Sequence, residues 1–351
     1  MFGRGPVGAG YRGSFRVTDS SFELLTIGRV GVDLYPSEIA LPLSEVTSFD
    51  KFLGGSPTNV AVAASRYGHR CAVITRVGDD GFGEYVRVAL RGFGVDDRYV
   101  GTDPVLRTPL VFPEIYPPDH FPLLFYREPK APDMNIAAQD LDLDAIRRAD
   151  ILWTTGIGLS DEPSRSATFA ALEERGRRRH TVHDLDYRAG FWSSLEDAGR
   201  YQRIALGLAS AAVGNQEECA VAVGPGTPEE QAARLLDLGL ELAVVKMGPA
   251  GVLIMSSEGT ERVAPLDIDV VNGLGAGDAF GGALCHGLLL GWDAVSILHF
   301  ANAAGAYVAT QLACADAMPT ERQVRALMDD VASRIDTCRG ARVADRREHA
   351  S

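Results

Sequence analysis

Short apolar runs alternate with helical patterns along most of this chain. The runs 22–30 and 71–78 are as short and as apolar as buried strands, and each contains a glycine at or near its end. Between them, the alanine-rich segment 56–68 has the length and composition of a helix. The alternation resumes near residue 150 and continues to about residue 335. This rhythm predicts an α/β fold with a mostly parallel central sheet that helices cover on both faces.

Two stretches interrupt the alternation. Segment 34–52 is irregular and contains prolines, while 108–116 and 121–128 resemble two strands joined by a proline-containing turn. Repeated prolines favour edge strands or an exposed flap over central strands. We therefore expect a small β lid on the α/β body, formed from about 34–53 and 107–130.

The two ends of the chain differ from this body. Residues 1–21 are rich in glycine and arginine and lack an apolar signal core, so we expect a disordered leader. A match to GxGxxG at 3–8 has no strand before it and no helix pattern after it, which indicates a chance match. The predicted domain covers 22–336, and 337–351 is expected to be a loose polar tail.

Charge and cysteine content narrow the class of protein. The formal net charge of −13 argues against a nucleic-acid partner, which usually requires a basic face. Five cysteines are scattered without a CxxC pair, which is typical of reduced thiols and predicts a cytoplasmic protein. No stretch is long and apolar enough to cross a bilayer, so we expect no membrane partner.

A glycine-rich loop near residue 275 carries the strongest chemical pattern. Gly273, Gly275 and Gly277 fall within five positions, and the apolar segment 279–290 that follows has the pattern of a buried helix. Free N–H groups at a helix start form an anion site that the helix dipole favours. Asp278 lies in the first turn of this helix, where a carboxylate is either a helix cap or a general base.

A second glycine pair precedes another predicted helix. Gly54 and Gly55 would let a ligand approach the backbone closely, and Ser56 is predicted to cap the helix that follows. Asn59 falls in the first turn of that helix and would face the same opening. Asp33 is expected at the carboxyl edge of the first strand, where ligands bind in open α/β sheets. A loop-capping role for Asp33 is the alternative.

Four further polar residues allow two interpretations each. Asn215 and Glu218 open a helix with the spacing of a capping pair, or they hold hydrated Mg²⁺ near phosphates. Lys246 lies at the end of a predicted strand, just before glycines. It either contacts a phosphate or is an edge residue that blocks aggregation. Arg127 either pairs with an anionic substrate group or forms a surface salt bridge. No Gly-Lys-Ser/Thr motif occurs, so any nucleotide would be held without a Walker loop.

Together these patterns resemble the ribokinase-like (PfkB) carbohydrate kinases over about 22–335. The motifs in question are Asp33, Gly54-Gly55 with Asn59, Asn215-x-x-Glu218, Lys246-x-Gly248 and Gly275-Ala276-Gly277-Asp278. Within the family, the stretches 121–128 and 184–192 look most like the kinases that phosphorylate 5-dehydro-2-deoxygluconate in myo-inositol breakdown. The 2-keto-3-deoxygluconate kinases have a similar stretch, and they remain an alternative.

The resemblance implies an ATP-dependent kinase for the primary hydroxyl of a sugar acid, with a role for each motif. In catalysis, Asp278 would be the base, and the anion hole would be formed by Gly275, Ala276 and Gly277. The residues that would hold the substrate are Asp33, Gly54, Gly55, Asn59, Arg127 and Arg188. The residues that would line the nucleotide side are Asn215, Lys246, Gly248, Gly251, Gly275, Gly277 and Asn302. Glu218 would organise Mg²⁺ through water.

One departure from the family pattern affects the expected cofactors. Many members have Asp-Thr-x before Gly-Ala-Gly-Asp, where this chain has Asn272-Gly273-Leu274. That Asp and Thr help to hold a monovalent cation in some members, so the resemblance implies ATP and Mg²⁺ but does not extend to potassium. It also implies a homodimer formed through the lid. Two alternatives from other classes are a catalytically silent relative and a nicotinamide oxidoreductase, and the position of the only GxGxxG disfavours the second.

Overall fold

The computed structural model describes residues 21–332, which form fourteen strands and ten α-helices. The predicted leader, apart from residue 21, and the predicted tail lie outside these residues. The strands are β1 Leu24–Ile27, β2 Gly31–Pro36, β3 Phe49–Gly54, β4 Cys71–Gly78, β5 Val95–Asp96, β6 Val100–Asp103, β7 Leu110–Pro113, β8 Leu123–Tyr126, β9 Ile151–Thr155, β10 Thr181–Asp184, β11 Ala211–Asn215, β12 Leu242–Lys246, β13 Val252–Ser256 and β14 Gly259–Val263. The α-helices are α1 Ser56–Arg66, α2 Gly81–Gly92, α3 Leu143–Arg148, α4 Ser164–Arg175, α5 Leu195–Leu208, α6 Gln216–Val223, α7 Pro228–Asp237, α8 Ala276–Leu289, α9 Ala294–Ala309 and α10 321–332.

Ten strands form the main sheet in the order β14-β13-β12-β11-β10-β9-β1-β4-β5, with β6 also paired to β4. All neighbours from β12 through to β5 are parallel, and only β13 and β14 at one edge are antiparallel. Parallel neighbours require crossover connections, and these place helices over the sheet. Every residue of β1 and β9 is buried as a result, which explains their continuous apolar runs. The predicted α/β class with a mostly parallel sheet is confirmed.

Helices α1, α8 and α9 pack together on one face of this sheet. The whole stretch from Ser56 to Ala64 of α1 and the stretch from Ala279 to Gly287 of α8 are buried. The indole of Trp153, on the central strand β9, belongs to the same core. Because α1 and α8 lie against each other, the starts of these two helices lie side by side at one end of the sheet.

A separate four-stranded sheet, in the order β3-β2-β7-β8, lies beside the main one. The predicted strand pair at 108–128 corresponds to β7 and β8. The irregular segment 34–52, however, contains the end of β2 and the start of β3, which pair from Gly31–Gly54 to Pro36–Phe49. Strand β3 is exposed over its first three residues, so it shows no apolar alternation that sequence analysis could detect. Pairing of the two backbones defines these strands instead.

The helices within residues 21–332 are too short or too polar to span a membrane. Across the part of the chain that the structure describes, none combines the length and the hydropathy that a bilayer span needs.

Candidate active site

A cavity of about 410 Å³ lies at the carboxyl ends of the central strands. Three of its lining residues, Asp184, Asn215 and Lys246, are the last residues of β10, β11 and β12. Val111, Leu123 and Phe125, from β7 and the neighbouring β8, line the cavity from the small sheet. Ligands of open α/β sheets bind at this edge, so the cavity is the candidate active site.

The start of α8 forms part of the cavity wall. Gly275 caps the helix in the left-handed conformation, with φ of 81°, and a Cβ there would lie 2.8 Å from the sulfur of Cys314. Only glycine fits this position without strain. The N–H groups of the first helical turn have no acceptor within the helix and carry the positive end of its dipole. Gly275 and Gly277 line the cavity as predicted, whereas Ala276 does not line it.

Asp278, the third residue of α8, also lines the cavity. Its Oδ2 accepts a hydrogen bond of 2.8 Å from the Nδ2 of Asn59. The pKa of Asp278 is raised by burial, while hydrogen bonds from Asn59 and Ser56 act in the opposite direction. No side chain caps α8, so the geometry favours the general-base interpretation of Asp278 over the capping one.

Ser56 does not have its predicted capping role. Helix α1 begins at Ser56 itself, with Gly55 at the N-cap and no side-chain capping bond. The Ser56 hydroxyl interacts with Asp278 instead. The approach of α8 to α1 in the folded chain supplies this partner, and nothing in the local sequence of α1 indicates it.

Asp33 lines the cavity from the small sheet. It lies within β2, so the prediction that it follows the edge of the first strand was wrong about the element. Burial raises the pKa of Asp33 to about 7, with Arg29 acting against this and Asp278 adding to it. Gly55 lines the cavity, but Gly54 does not: a Cβ on Gly54 would lie 2.2 Å from an Asp33 oxygen. Gly54 therefore makes room for the Asp33 carboxylate.

Asn215 and Glu218 form a reciprocal capping box at the start of α6. The Asn215 side chain accepts from the Glu218 N–H at 2.9 Å, and Glu218 Oε2 accepts from the Asn215 N–H at 2.7 Å. The other Glu218 oxygen accepts from Arg188 at 3.3 Å. Both capping residues line the cavity, so the capping interpretation is correct and the carboxylate still faces the site.

Lys246 lies among acidic groups beside the glycine loop. A Cβ on Gly277 would lie 3.2 Å from the Lys246 ammonium. Burial lowers the pKa of Lys246, but the nearby carboxylates Asp184 and Glu218 outweigh it and raise the pKa above its ordinary value. Burial raises the pKa of Asp184, whereas the positive charge of Lys246 lowers it. Lys246 is therefore protonated beside the start of α8, and Gly248 also lines the cavity.

Three predicted binding residues besides Gly54 lie outside the cavity lining. Arg127 pairs with the fully buried Asp133 through both of its terminal nitrogens, and only 7% of the Arg127 side chain is exposed. Asn302 donates to the carbonyl of Ala264 at 2.9 Å. A Cβ on Gly251 would lie 2.0 Å from the carbonyl of Val263, so Gly251 packs against the end of β14. Arg188, in contrast, lines the cavity as predicted.

Several residues that line the cavity were not predicted from the sequence. Asp184 ends a buried strand, so the edge rule that drew attention to Asp33 was available for it as well. Arg29 follows the end of β1, and the same rule applies. Tyr35 and Cys314 come from distant parts of the chain, with oxygen and sulfur 2.8 Å apart. No local pattern joins those two residues.

The cavity carries more carboxylates than cations. Asp186 Oδ2 is buried and has no hydrogen-bond partner. Within residues 21–332, no group of three or more His, Cys, Asp and Glu side chains is arranged to hold a metal ion directly. The lining carboxylates are Asp33, Asp184, Asp186, Glu218 and Asp278, and the lining cations are Arg29, Arg188 and Lys246.

The cavity brings together a glycine-rich helix start, the carboxylate of Asp278 and the lysine at the end of β12, in an α/β fold with a mostly parallel sheet. Residues 22–321 match the model of the family described as pfkB family carbohydrate kinase, so the chain belongs to this family. It is therefore an ATP-dependent sugar kinase. The family predicted from the sequence motifs is confirmed.

Similar proteins have a more specific name than the family. A 5-dehydro-2-deoxygluconokinase of Clostridium tetani is 32% identical over 311 residues, which cover 86% of this chain and 91% of the relative. This similarity agrees with the resemblance of the stretches 121–128 and 184–192.

Two solved structures share the fold. An Escherichia coli protein described as a ribokinase II has a TM-score of 0.81 at 24% identity, and the match covers 88% of this chain and 99% of that one. A double mutant of Vibrio cholerae fructokinase, solved with fructose, ADP and potassium ion, has a TM-score of 0.78 at 28% identity, over 88% and 98% of the two chains. The ribokinase-like fold is confirmed.

Proposed function

We propose that this chain transfers the γ-phosphoryl group of ATP to the primary hydroxyl of 5-dehydro-2-deoxy-D-gluconate, giving the 6-phosphate in myo-inositol catabolism. The observation that carries the proposal is the position of the Asp278 carboxylate, in the first turn of α8 and hydrogen-bonded to Asn59. The same cavity contains Asp33, which can accept hydrogen bonds from substrate hydroxyls. The names of the relatives support the choice of substrate.

Asp278 takes the proton of the substrate hydroxyl as the new O–P bond forms. The bond between the γ-phosphorus and the bridging oxygen breaks, and ADP leaves with that oxygen. Negative charge develops on the transferred group next to the N–H groups at the start of α8, and Lys246 adds a positive charge there. The raised pKa of Asp278 makes its carboxylate a stronger base than an exposed one.

Mg²⁺ fits the acidic side of the cavity. Asp186 has a buried oxygen without a hydrogen-bond partner, and the Glu218 oxygen outside the capping bond accepts only from Arg188, at 3.3 Å. Since the described residues offer no set of three direct ligands, Glu218 and Asp186 would hold the ion through water. Bound Mg²⁺ neutralises phosphate charge. Asn215 and Gly248 would lie on the nucleotide side with Lys246.

Potassium fits the site less well. Asn272 is fully buried, its Nδ2 donates to the carbonyl of Leu312 at 2.7 Å, and its Oδ1 accepts from the Leu274 N–H at 3.0 Å. A neutral amide here offers a cation no negative charge, and its N–H group occupies the Leu312 carbonyl oxygen. We propose that this kinase works without a monovalent cation.

The test is ADP release on a panel of sugars and sugar acids with Mg²⁺ and ATP. The panel includes 5-dehydro-2-deoxygluconate, 2-keto-3-deoxygluconate, ribose and fructose. We expect turnover on the first compound well above the others. Turnover only on 2-keto-3-deoxygluconate, or only on a neutral sugar, would keep the family and replace the proposed substrate.

The variant Asp278→Asn tests the base. We expect kcat to fall by roughly 10²–10⁴-fold while ATP binding, measured by calorimetry, is retained. Asp293→Asn is the matched control, because Asp293 caps α9 by accepting from Ser296 at 2.8 Å. The control should lose some stability but keep the turnover rate of the wild type. Equal turnover in Asp278→Asn and wild type would remove Asp278 from the base role. No turnover by wild type on any compound would favour a silent nucleotide- or sugar-binding relative.

We further propose that the small sheet is a lid and that its outer face joins two copies of the chain. Phe49, Leu124 and Tyr126 are 37%, 47% and 60% exposed, and the ring of Phe112 contacts those of Phe49 and Tyr126. Sedimentation should show a dimer that Leu124→Glu converts to a monomer, whereas Val105→Glu, at an apolar position that is 80% exposed elsewhere, should not. A monomeric wild type would refute this assembly.

The state of the cysteines indicates the cellular compartment of the enzyme. Cys71, Cys219, Cys285 and Cys314 are free and buried. Free thiols are typical of a reducing compartment, and we propose a cytoplasmic enzyme on this basis.

A further inference from the structure

We propose that Arg29 binds the carboxylate of the sugar acid and thereby sets the preference of this kinase for acids over neutral sugars. The inference rests on the proposed function and adds a residue that sequence analysis did not select. Its basis is that Arg29 is the one arginine lining the cavity whose side chain has no hydrogen-bonded carboxylate partner within residues 21–332.

The backbone of Arg29 is held firmly at the edge of the main sheet. Its carbonyl accepts from the Thr58 hydroxyl at 3.1 Å, and a Cβ on Gly55 would lie 2.4 Å from the same oxygen. The next N–H, that of Val30, donates to Asp133 at 3.1 Å. These contacts fix the point on the backbone from which the side chain extends.

The Arg29 side chain extends into the cavity under the small sheet. Its guanidinium lies 5.6 Å from the ring centroid of Phe125, which is on β8. Its Nε is buried without a hydrogen-bond partner. A buried, unpaired donor is costly, and a ligand that accepts from it recovers this cost. A guanidinium presents its donors in a planar fork that matches a carboxylate.

The other two candidate arginines are already engaged. Arg127 forms a two-point pair with Asp133 and is almost fully buried. Arg188 lies on the acidic side, 3.3 Å from Glu218 and 3.5 Å from Asp186. A substrate carboxylate would have to displace an existing partner at either residue. At Arg29 it displaces none.

The positions of Arg29 and Asp33 in the cavity also favour a carboxylate-binding role for Arg29. Burial lowers the pKa of Arg29, while the charges of Asp186 and, less strongly, Asp33 raise it, so both carboxylates lie near the guanidinium without a hydrogen bond to it; Asp33 is on the lid strand β2. A sugar acid whose hydroxyl lies at Asp278 would thus meet Asp33 along its chain and a free guanidinium beside it. Neutral sugars offer Arg29 no charge, so its unpaired donors would remain poorly satisfied.

The experiment compares two acceptors in three proteins. The acceptors are 5-dehydro-2-deoxygluconate and its uncharged carboxamide, and the proteins are wild type, Arg29→Met and Arg29→Lys. We expect Arg29→Met to lower kcat/KM for the acid by about 10- to 100-fold, mainly through KM, and to change the carboxamide value by less than about 3-fold. Arg29→Lys should recover part of the activity on the acid, because it keeps the charge and loses the fork.

Arg98→Met is the surface control. Arg98 is more than half exposed and pairs with Asp96 far along the sheet, so its loss should not alter either acceptor. A thermal shift produced by ATP, equal in every variant, shows that the nucleotide side is intact. If Arg29→Met does not fold, Arg29→Lys still tests the proposal, because loss of the planar fork of donors should by itself raise KM for the acid.

The possible failures are distinct. A wild type that prefers the acid, with variants that keep the same preference, would overturn the role of Arg29 and leave the proposed function standing. An equal loss on acid and carboxamide would assign Arg29 a structural role. A wild type without turnover on any acid would overturn the proposed function and this inference with it.

Discussion

The substitution Asp33→Asn should make the ligand-free protein more stable at high pH while it weakens substrate binding. Burial raises the pKa of Asp33 from an ordinary value of 3.8 to about 7. The fold therefore disfavours the ionised carboxylate. This penalty is absent below the ordinary pKa, grows as the pH rises from about 4 to about 7, and is complete above that. Asparagine removes the penalty because its side chain is neutral at every pH.

The difference between the two pKa values corresponds to about 4 kcal/mol as an upper limit. Water reaches Asp33 through the open cavity and screens its charge, so we expect on the order of 2 kcal/mol. The assay is guanidinium unfolding of the ligand-free wild type and variant, at about pH 4 and about pH 8. Near pH 4 the protonated aspartic acid and asparagine are both neutral and nearly isosteric, so the two proteins should be equally stable. Near pH 8 the variant should be more stable.

Asp119→Asn is the matched control, because Asp119 is exposed in the turn between β7 and β8. It should leave stability unchanged at both pH values. A variant at position 33 that is no more stable than wild type near pH 8 would refute the reasoning, as would an equal gain at both pH values. In the kinase assay, Asp33→Asn should raise KM for the sugar acid, since an acceptor of substrate hydrogen bonds is weakened.

Three further outcomes follow from the same site. Gly275→Ala should reduce both stability, by about 1–3 kcal/mol, and turnover, because the new Cβ would lie 2.8 Å from Cys314 at a φ of 81°. The control Gly207→Ala, in α5 with open space around it, should reduce neither. Lys246→Met should lower kcat on the order of 10²-fold by removing the cation beside the transferred phosphoryl group, as single-turnover kinetics would show. Exchange of potassium for sodium or tetramethylammonium should leave the rate unchanged, and a strict potassium requirement would contradict the role given to Asn272.

Much of the catalytic end of the site could be predicted from the sequence. Its residues lie in short local motifs whose function depends on helix starts and strand ends. Gly275, Gly277 and Asp278 surround the start of α8, and the capping pair of Asn215 and Glu218 opens α6. Backbone geometry over a few residues determines such features, so their spacing in the chain carries the information.

The acceptor end depended on contacts between distant segments. Arg127 was predicted to meet the substrate, but Asp133 neutralises it. Arg29, which has no such partner, was not selected. The difference lies in which carboxylate each guanidinium meets after folding, and a single sequence contains no measure of that. Ser56 likewise meets Asp278 from a distant segment instead of capping α1. Asp33 lines the cavity, but it lies within β2, a strand that only its backbone pairing with β3 defines.

The sequence by itself determined the α/β class and the two glycine-rich helix starts, and it singled out Asp278, whose role as the base is proposed. Periodicity and local hydrogen bonding act within one or two turns of chain, so these properties can be read from adjacent residues. Only the tertiary structure decided which polar side chains are hydrogen-bonded to each other, because such bonds join residues such as Asn59 and Asp278, which are 219 positions apart. Burial at that junction then sets the pKa of Asp33 and Asp278, and burial is a property of the packed chain.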